Sequence, residues 1–334
     1  MNNSKLGIAI IGSGSAVPQN KLTNHHLSQI VDTSDEWISS RTGMKTRFIS
    51  SETESLTQLS ATAAQNALNM AGIAASDVDL IILATSTPDD MFGSASKVQH
   101  LIGANKAAAF DLTAACSGFV FGLITAAQYI RSGMYHNVVI VGADVLSRWV
   151  DWSDRTTCVL FGDGAGAIVC QGTTNIDRLL AGGLYSDGSQ NGCLNLPYQN
   201  KSQALVEDIT VQSGTYEPIT MKGRDIYRFA VAKVPEAIEK AMFQAGISSE
   251  DIDWLLLHQA NQRIMDAVAK RLALPPEKVL SKIAHYGNTS AASIPLTLDA
   301  AVREGKVKPG DIIAASGFGA GLTWSSAIFQ WGEF

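Results

Sequence analysis

Two stretches of this 334-residue chain carry the same rhythm of apolar and polar positions. Leu56, Leu59, Ala63 and Ala67 fall at the spacing of a helix with one buried face, and Val231, Val234, Ile238 and Ala241 do so again. Each pattern runs through Ala-Gly, a helix stop, into an apolar strand. Residues 71–83 read AGIAASDVDLIIL and residues 245–257 read AGISSEDIDWLLL. At nearly the same interval, Tyr129-Ile-Arg-Ser-Gly133 matches Ala301-Val-Arg-Glu-Gly305, each leading to a further apolar strand. Helix–strand–helix–strand, twice in one order, predicts a duplicated α/β unit with buried, largely parallel strands. The alternative is chance similarity between two ordinary α/β segments, and the second matched block weighs against it. The seam falls near residues 172–178, giving halves 1–172 and 173–334. Residues 198–223 are polar and irregular, which predicts a surface excursion inside the second half.

Composition narrows the class. Hydrophobic residues make up 46% of the chain and charged residues 17%, enough for a large core and unlike a disordered polypeptide. The net charge of −6 argues against nucleic-acid binding by bulk charge. The opening MNNSKLGIAIIGSGSAVP has an apolar stretch that breaks at Gly12, Gly14 and Pro18, so it reads as a strand and turn rather than a secretory signal. Apolar runs such as Val138 to Ala143 suit buried strands and are too short to span a bilayer. No lipidation signal is seen at the C-terminus. Cys116, Cys158, Cys170 and Cys193 show no CxxC spacing and no clustered histidines. That argues against a zinc site or disulfide scaffold and for a reducing cytoplasm.

Three polar residues stand out against apolar surroundings. Cys116 follows an apolar strand, Ala107 to Leu112, and precedes a largely apolar run, Gly118 to Ile130. At the N-terminus of a buried helix, free N–H groups and the positive dipole end favour thiolate over thiol, and a neighbouring N–H can begin an oxyanion hole. The plainer reading is an inert buried cysteine. His258 opens the polar run His258-Gln-Ala-Asn261 directly after the second repeated strand, where the ends of strands in α/β sheets face a ligand crevice. A hydrogen-bonded histidine capping a strand would look the same. Asn288, in His285-Tyr-Gly-Asn-Thr-Ser, falls opposite Cys116 at the interval of the second matched block, although Asn-Thr-Ser is also an ordinary helix cap.

Together these three suit a defined chemistry. A thiolate can hold an acyl group as a thioester, and an imidazole and a carboxamide can both donate to one carbonyl oxygen as an enolate develops. Papain-like hydrolysis also uses Cys, His and Asn and stands as a rival. Gly12-Ser-Gly14 lacks the third glycine of a dinucleotide loop, because Val17 stands there. Phe161-Gly-Asp-Gly-Ala-Gly166 lacks the lysine of a phosphate loop, and no GxSxG elbow is present. Gly317-Phe-Gly-Ala-Gly-Leu322 could bring a second oxyanion N–H to the site.

As a set, these segments resemble β-ketoacyl-acyl carrier protein synthase III, the initiating condensing enzyme of the thiolase superfamily. The resemblance spans nearly the whole chain. It includes Asp32-Thr-Ser-Asp-Glu-Trp-Ile38, Arg41-Thr-Gly43, the Cys116 block, Phe161-Gly-Asp-Gly-Ala-Gly166, His258-Gln-Ala-Asn261, Gly287-Asn-Thr-Ser-Ala-Ala-Ser293 and Leu322-Thr-Trp324. It implies a thiolase-like duplicated five-layer αβαβα fold, a homodimer, and no cofactor beyond the coenzyme A thioester used as substrate. By position, Cys116 would be acylated by a short acyl-CoA, with acetyl-CoA the expected primer. His258 and Asn288 would hold the malonyl thioester while carbon dioxide leaves. Trp37 and Arg155 match the residues that sandwich the adenine of coenzyme A, with Arg41 near its phosphates; plain core packing and surface ion pairs are the alternatives. Phe92 matches the residue that closes the partner's acyl pocket. Ala320 replaces a family glycine as the second oxyanion N–H, beside that of Cys116, and so needs a φ that alanine tolerates. Ser325 replaces another glycine.

The resemblance also implies an acidic acyl carrier protein as partner, with no role for nucleic acid or membrane. Because this chain is itself acidic, docking must use a local basic patch. Arg263, Lys270 and Arg271 share a helix whose buried stripe is Ile264, Val268 and Leu272, and Arg228 matches another docking position. The function implied is decarboxylative condensation of a short acyl-CoA with malonyl-acyl carrier protein, initiating fatty acid biosynthesis. The alternatives are a thiolase-fold acyltransferase of specialised metabolism with a different primer or acceptor, and a non-condensing scaffold subunit.

Overall fold

In the computed structural model, which describes residues 6–174 and 176–332, two mixed sheets stand back to back across a pair of buried helices. The first sheet contains β1 (Leu6–Ala16), β2 (Leu80–Ala84), β3 (Ala108–Leu112), β4 (Asn137–Val145) and β5 (Asp163–Thr174), in the order β1-β5-β4-β2-β3. The second contains β6 (Leu179–Ser186), β7 (Trp254–Leu257), β8 (Ile312–Gly319) and β9 (Thr323–Gln330), in the order β7-β8-β9-β6. Strand β5 runs through residue 172 to Thr174, and the second sheet opens at Leu179.

Helices α1 (Leu56–Ala71), α2 (Gly118–Arg131), α3 (Gly223–Ala245), α4 (Gln262–Arg271) and α5 (Ser293–Arg303) make the other layers. Helix α1 covers the outer face of the first sheet, α2 and α5 lie between the sheets, and α3 packs on the second sheet with α4 beside it. The central layer is apolar on both sides, with Phe119, Val120 and Leu123 of α2 and Ile294 and Leu298 of α5 buried. The matched helix stops act alike: α1 ends on Gly72 at φ 66° and α3 on Gly246 at φ 70°. Both values lie in the left-handed region that glycine enters without strain.

Four expectations need correction. The strands are mixed rather than largely parallel, because β9 returns from β8 through a short turn, and such a turn can only pair strands antiparallel. Strand β1 does not break at its glycines. A Cβ on Gly12 would lie 2.5 Å from the Ala67 carbonyl oxygen and one on Gly14 2.3 Å from that of Ala63, so these residues let α1 lie close on the strand. Residues 198–223 are not irregular, for Tyr198–Val206 and Ile209–Tyr216 form an antiparallel ribbon exposed along most of its length. Finally, Asn288 is not the counterpart of Cys116. Helices α2 and α5 each follow a short 3-10 turn opened by a left-handed residue, Ala115 at φ 48° and Ser290 at φ 51°. Superposing those turns sets Ala291 against Cys116 and Thr113 against Asn288. Helix α2 has 14 residues and α5 has 11, which restores the interval seen at their ends. Among the described residues, no helix is long and apolar enough to cross a membrane.

Candidate active site

Cys116 sits in the 3-10 turn Ala115–Ser117, directly before α2. Strand β8 runs against this turn because it carries glycine where contact is closest. A Cβ on Gly319 would come 2.7 Å from the Cys116 nitrogen, and one on Gly317 2.8 Å from the Ser117 Cα. The cysteine is 8% exposed, and the Ser290 hydroxyl bonds its sulfur at 3.2 Å. Burial pushes the thiol up to about 12; the Ser290 bond opposes this in part, and the charge of Asp144 adds to it. The helix end, which favours a thiolate, is thus opposed by removal of the sulfur from water.

His258 continues β7, its N–H donating to the Ser316 carbonyl at 2.9 Å. Its Nδ1 lies 2.7 Å from Ser293 Oγ, which also accepts the Gln259 N–H at 3.2 Å. With one lone pair of Oγ taken by that N–H, the serine hydrogen can donate to Nδ1, the arrangement that puts the ring's own hydrogen on Nε2. Burial drives the imidazole down to about 3, so it is neutral at ordinary pH. Asn288 is held by its backbone, whose N–H donates to Leu160 O and whose carbonyl accepts from Gly162 N–H, both at 2.9 Å. Its Oδ1 accepts the Ser290 N–H at 2.9 Å, so the side chain caps the turn and keeps its amide hydrogens as donors. The cap and the donor readings hold together.

Cys116, His258 and Asn288 line one cavity of about 300 Å³, together with Trp37 and Arg41. A neutral imidazole and a carboxamide thus border the same space as a thiol. A second cavity, about 880 Å³, also reaches Cys116 and is lined by Thr87, Phe92, Trp149 and Ala320 among others. Phe92 is wholly exposed. Arg41 lies over the Trp37 ring at 4.7 Å and Arg155 at 5.4 Å, with Arg155 Nη1 also 3.1 Å from Asp32 Oδ2. Ala320 is not among the described residues with positive φ, so alanine is unstrained there. Arg228, Arg263, Lys270 and Arg271 are all exposed on α3 and α4. Arg263 is tethered, since its Nη2 donates to Ser40 O at 2.8 Å, and Arg228 faces Asp225 at 3.9 Å. Sequence reasoning passed over Ser290, Ser293 and Asp144. The two serines lie inside a quoted motif, and Asp144 is an acid within the buried run of β4, which was the available signal.

Comparison with known proteins joins this geometry to a lineage. The 3-oxoacyl-[acyl-carrier-protein (ACP)] synthase III family matches residues 110–188, and the C-terminal family of the same synthases matches residues 242–331. A β-ketoacyl-[acyl-carrier-protein] synthase III of Nostoc sp. is 65% identical over 328 residues, which is 98% of this chain and 99% of that one. The chain belongs to this family. Like its synthase III relatives, it is a condensing acyltransferase with the thiolase-like fold. The crystal structure of 3-oxoacyl-[acyl-carrier-protein] synthase III from Aquifex aeolicus superposes with a TM-score of 0.89 at 43% identity, covering 97% of this chain and 100% of the other. The priming β-ketosynthase of the R1128 polyketide biosynthetic pathway reaches the same TM-score at 32% identity, covering 99% and 98%.

Proposed function

We propose that the chain condenses a short acyl-CoA, acetyl-CoA first, with malonyl-acyl carrier protein to give 3-oxoacyl-acyl carrier protein, initiating fatty acid biosynthesis. The observation that carries this reading is the shared cavity: one thiol and two neutral donors border the same space. In the first stage the Cys116 sulfur attacks the acyl-CoA carbonyl, the carbon–sulfur bond to coenzyme A breaks, and the acyl group rests on Cys116. Backbone N–H groups of Cys116 and Ala320 receive the oxyanion. In the second stage His258 Nε2–H and the Asn288 amide donate to the malonyl thioester oxygen while the bond to the carboxylate breaks and carbon dioxide leaves. The enolate carbon then attacks the acyl-cysteine, a carbon–carbon bond forms, and the thiolate departs.

A neutral imidazole suits this task, because with Ser293 on Nδ1 its one N–H stays a donor throughout the ordinary pH range. Every electron pair moves between two thioesters and one sulfur, so we assign no cofactor. Trp37, Arg41 and Arg155 take the coenzyme A end, where cations over an indole form a stacking clamp for a base. We further assign a homodimer in which exposed Phe92 enters the partner's acyl pocket. The carrier would dock on Arg228, Arg263, Lys270 and Arg271, and the enzyme would work in the cytoplasm as two halves, residues 1–172 and 173–334.

Mass spectrometry after incubation with acetyl-CoA tests the core of the proposal. Wild type should gain one acetyl group on Cys116 and Cys116→Ala none; normal labelling of the variant would remove the nucleophile. Repeating the labelling with acyl-CoAs of increasing length separates a housekeeping primer from a specialised one.

A further inference from the structure

We infer that the Thr323 hydroxyl, joined to that of Ser117, is the brace that fixes the oxyanion N–H groups of Cys116 and Ala320 relative to each other for acyl transfer. The inference deepens the proposed condensation and rests on those two N–H groups being the oxyanion donors. They stand on segments with no covalent reason to meet. Cys116 lies in the turn before α2 and Ala320 just beyond β8, and the two hydroxyl residues are 206 positions apart in the chain. Charge growing on the acyl oxygen is stabilised best by donors already in place, so one segment must be fixed against the other.

The two hydroxyls make that join. Thr323 Oγ1 lies 2.6 Å from Ser117 Oγ, and 3.0 Å from each of the carbonyl oxygens of Ala114 and Ala320. Ser117 Oγ in turn lies 2.7 Å from the Ala114 oxygen. Ala114 begins the cysteine turn, which closes on the same carbonyl through the Ser117 N–H at 3.2 Å. Ala320 opens the turn from β8 to β9, across which Gly319 pairs with Thr323. One oxygen atom thus contacts both donor-bearing segments. With one hydrogen each, the hydroxyls can form a chain in which Ser117 donates to Thr323 and Thr323 to the Ala320 carbonyl. Ser117 is wholly buried, and neither residue lines either cavity, so the brace stands behind Cys116 and out of the substrate's path.

Both segments need holding. Ala115, next to the nucleophile, takes a φ of 48°, a costly value for alanine that persists only where the surroundings enforce it. The β8–β9 turn is tied on its outer side at Leu322, whose N–H and carbonyl pair with the Asp187 backbone at 2.9 and 2.8 Å. Thr323 ties the Ala320 end. Close approach alone does not set the spacing. Glycine at 317 and 319 removes the Cβ atoms that would strike the cysteine turn, but it supplies no bond across the gap. The hydroxyl pair supplies one. Thr323 touches no reacting atom and acts through the two N–H groups, so it is a positioning residue.

Thr323→Val keeps the shape of the side chain and removes its hydroxyl. Two reactions of the same sulfur then separate positioning from integrity. Acetylation by acetyl-CoA builds charge on an acyl oxygen, whereas alkylation by iodoacetamide displaces iodide at a saturated carbon and needs no oxyanion donors. Followed at Cys116 by mass spectrometry, Thr323→Val should lower the limiting acetylation rate by about 10–100-fold, less than deleting a donor outright. The acetyl-CoA concentration for half-saturation should not change, because the coenzyme A clamp is untouched. Alkylation should stay within about threefold of wild type, and Thr323→Ser, which restores the hydroxyl, should bring acetylation back to the same range. Acetylation of Thr323→Val within about threefold of wild type overturns the brace, and so does an equal loss of alkylation or no rescue by serine. Ala320→Pro removes the donor N–H itself. Normal acetylation of that variant overturns the donor assignment and the inference with it, while its loss beside a normal Thr323→Val places the failure in the brace alone. The nucleophile is tested separately by acetyl labelling of Cys116→Ala, so the failures cannot be confused.

Discussion

Acid should destabilise this protein through His258, a buried imidazole whose share a variant can isolate. His258 is 2% exposed, and burial moves its imidazole from the ordinary 6.5 to about 3. Below about pH 6.5 the unfolded chain takes a proton at this position, while the native state refuses it until about pH 3. The native state therefore loses stability as the pH falls across that window, by about 1.4 kcal/mol per pH unit. Between pH 6.5 and pH 5 the loss amounts to about 2 kcal/mol, a large fraction of a typical net stability. Buried Asp144 and Asp163 act with the opposite sign, because their raised carboxyls gain protons in the native state first. A comparison that cancels them is needed. His258→Asn supplies it: the amide oxygen can take the Ser293 hydroxyl in place of Nδ1, and no proton is gained on unfolding. Urea denaturation of both proteins at about pH 7 and about pH 5, at one protein concentration, should show wild type losing about 2 kcal/mol more than the variant. Equal losses in the two would refute the reasoning, since His258 would then be taking up its proton in the folded state as readily as in the unfolded one.

The two donors and the basic patch make separate claims. His258→Ala and Asn288→Ala should each lower carbon dioxide release from malonyl thioester by about 10²–10³-fold while acetyl transfer to Cys116 changes far less; equal loss in both assays would contradict the division of labour. Charge reversal at Arg263 and Lys270 should raise KM for the malonyl carrier several-fold, an effect that shrinks with salt, and leave KM for acetyl-CoA as it was. An unchanged carrier KM would move the docking surface elsewhere.

What the sequence disclosed follows from the range over which each force acts. Helix periodicity and glycine stops are local, so α1, α3 and the strands after them were legible, and the central pair followed from repetition. The ribbon at 198–216 was not, because a strand wet on both faces has no alternation to display. Its two-residue connection, Glu207-Asp208, was the remaining cue. The burial of Cys116 was illegible for a related reason. A helix end is visible in sequence, whereas desolvation is set by β8 and the 288–292 loop, distant in the chain.

The register error at Asn288 shows how symmetry and function part. Repeats inherited from one ancestor match in backbone, and the two left-handed turn openers, Ala115 and Ser290, keep that match. Chemistry needs the opposite, because a thiol facing a second thiol across the pseudo-dyad would supply no donor. The second half therefore sets Ala291 against Cys116 and advances its polar groups by other routes: Asn288 from before the turn, Ser290 from the turn itself and Ser293 from the first residue of α5. The three residues by which α5 is shorter than α2 are made up in the connection that follows it, so strands β4 and β8 start at the same interval as the two turns. On this argument the 288–293 segment is the part of the second half least free to resemble the first in side chains, and an interval counted back from the far end of the shorter α5 misplaces a residue there even where the fold itself is read correctly.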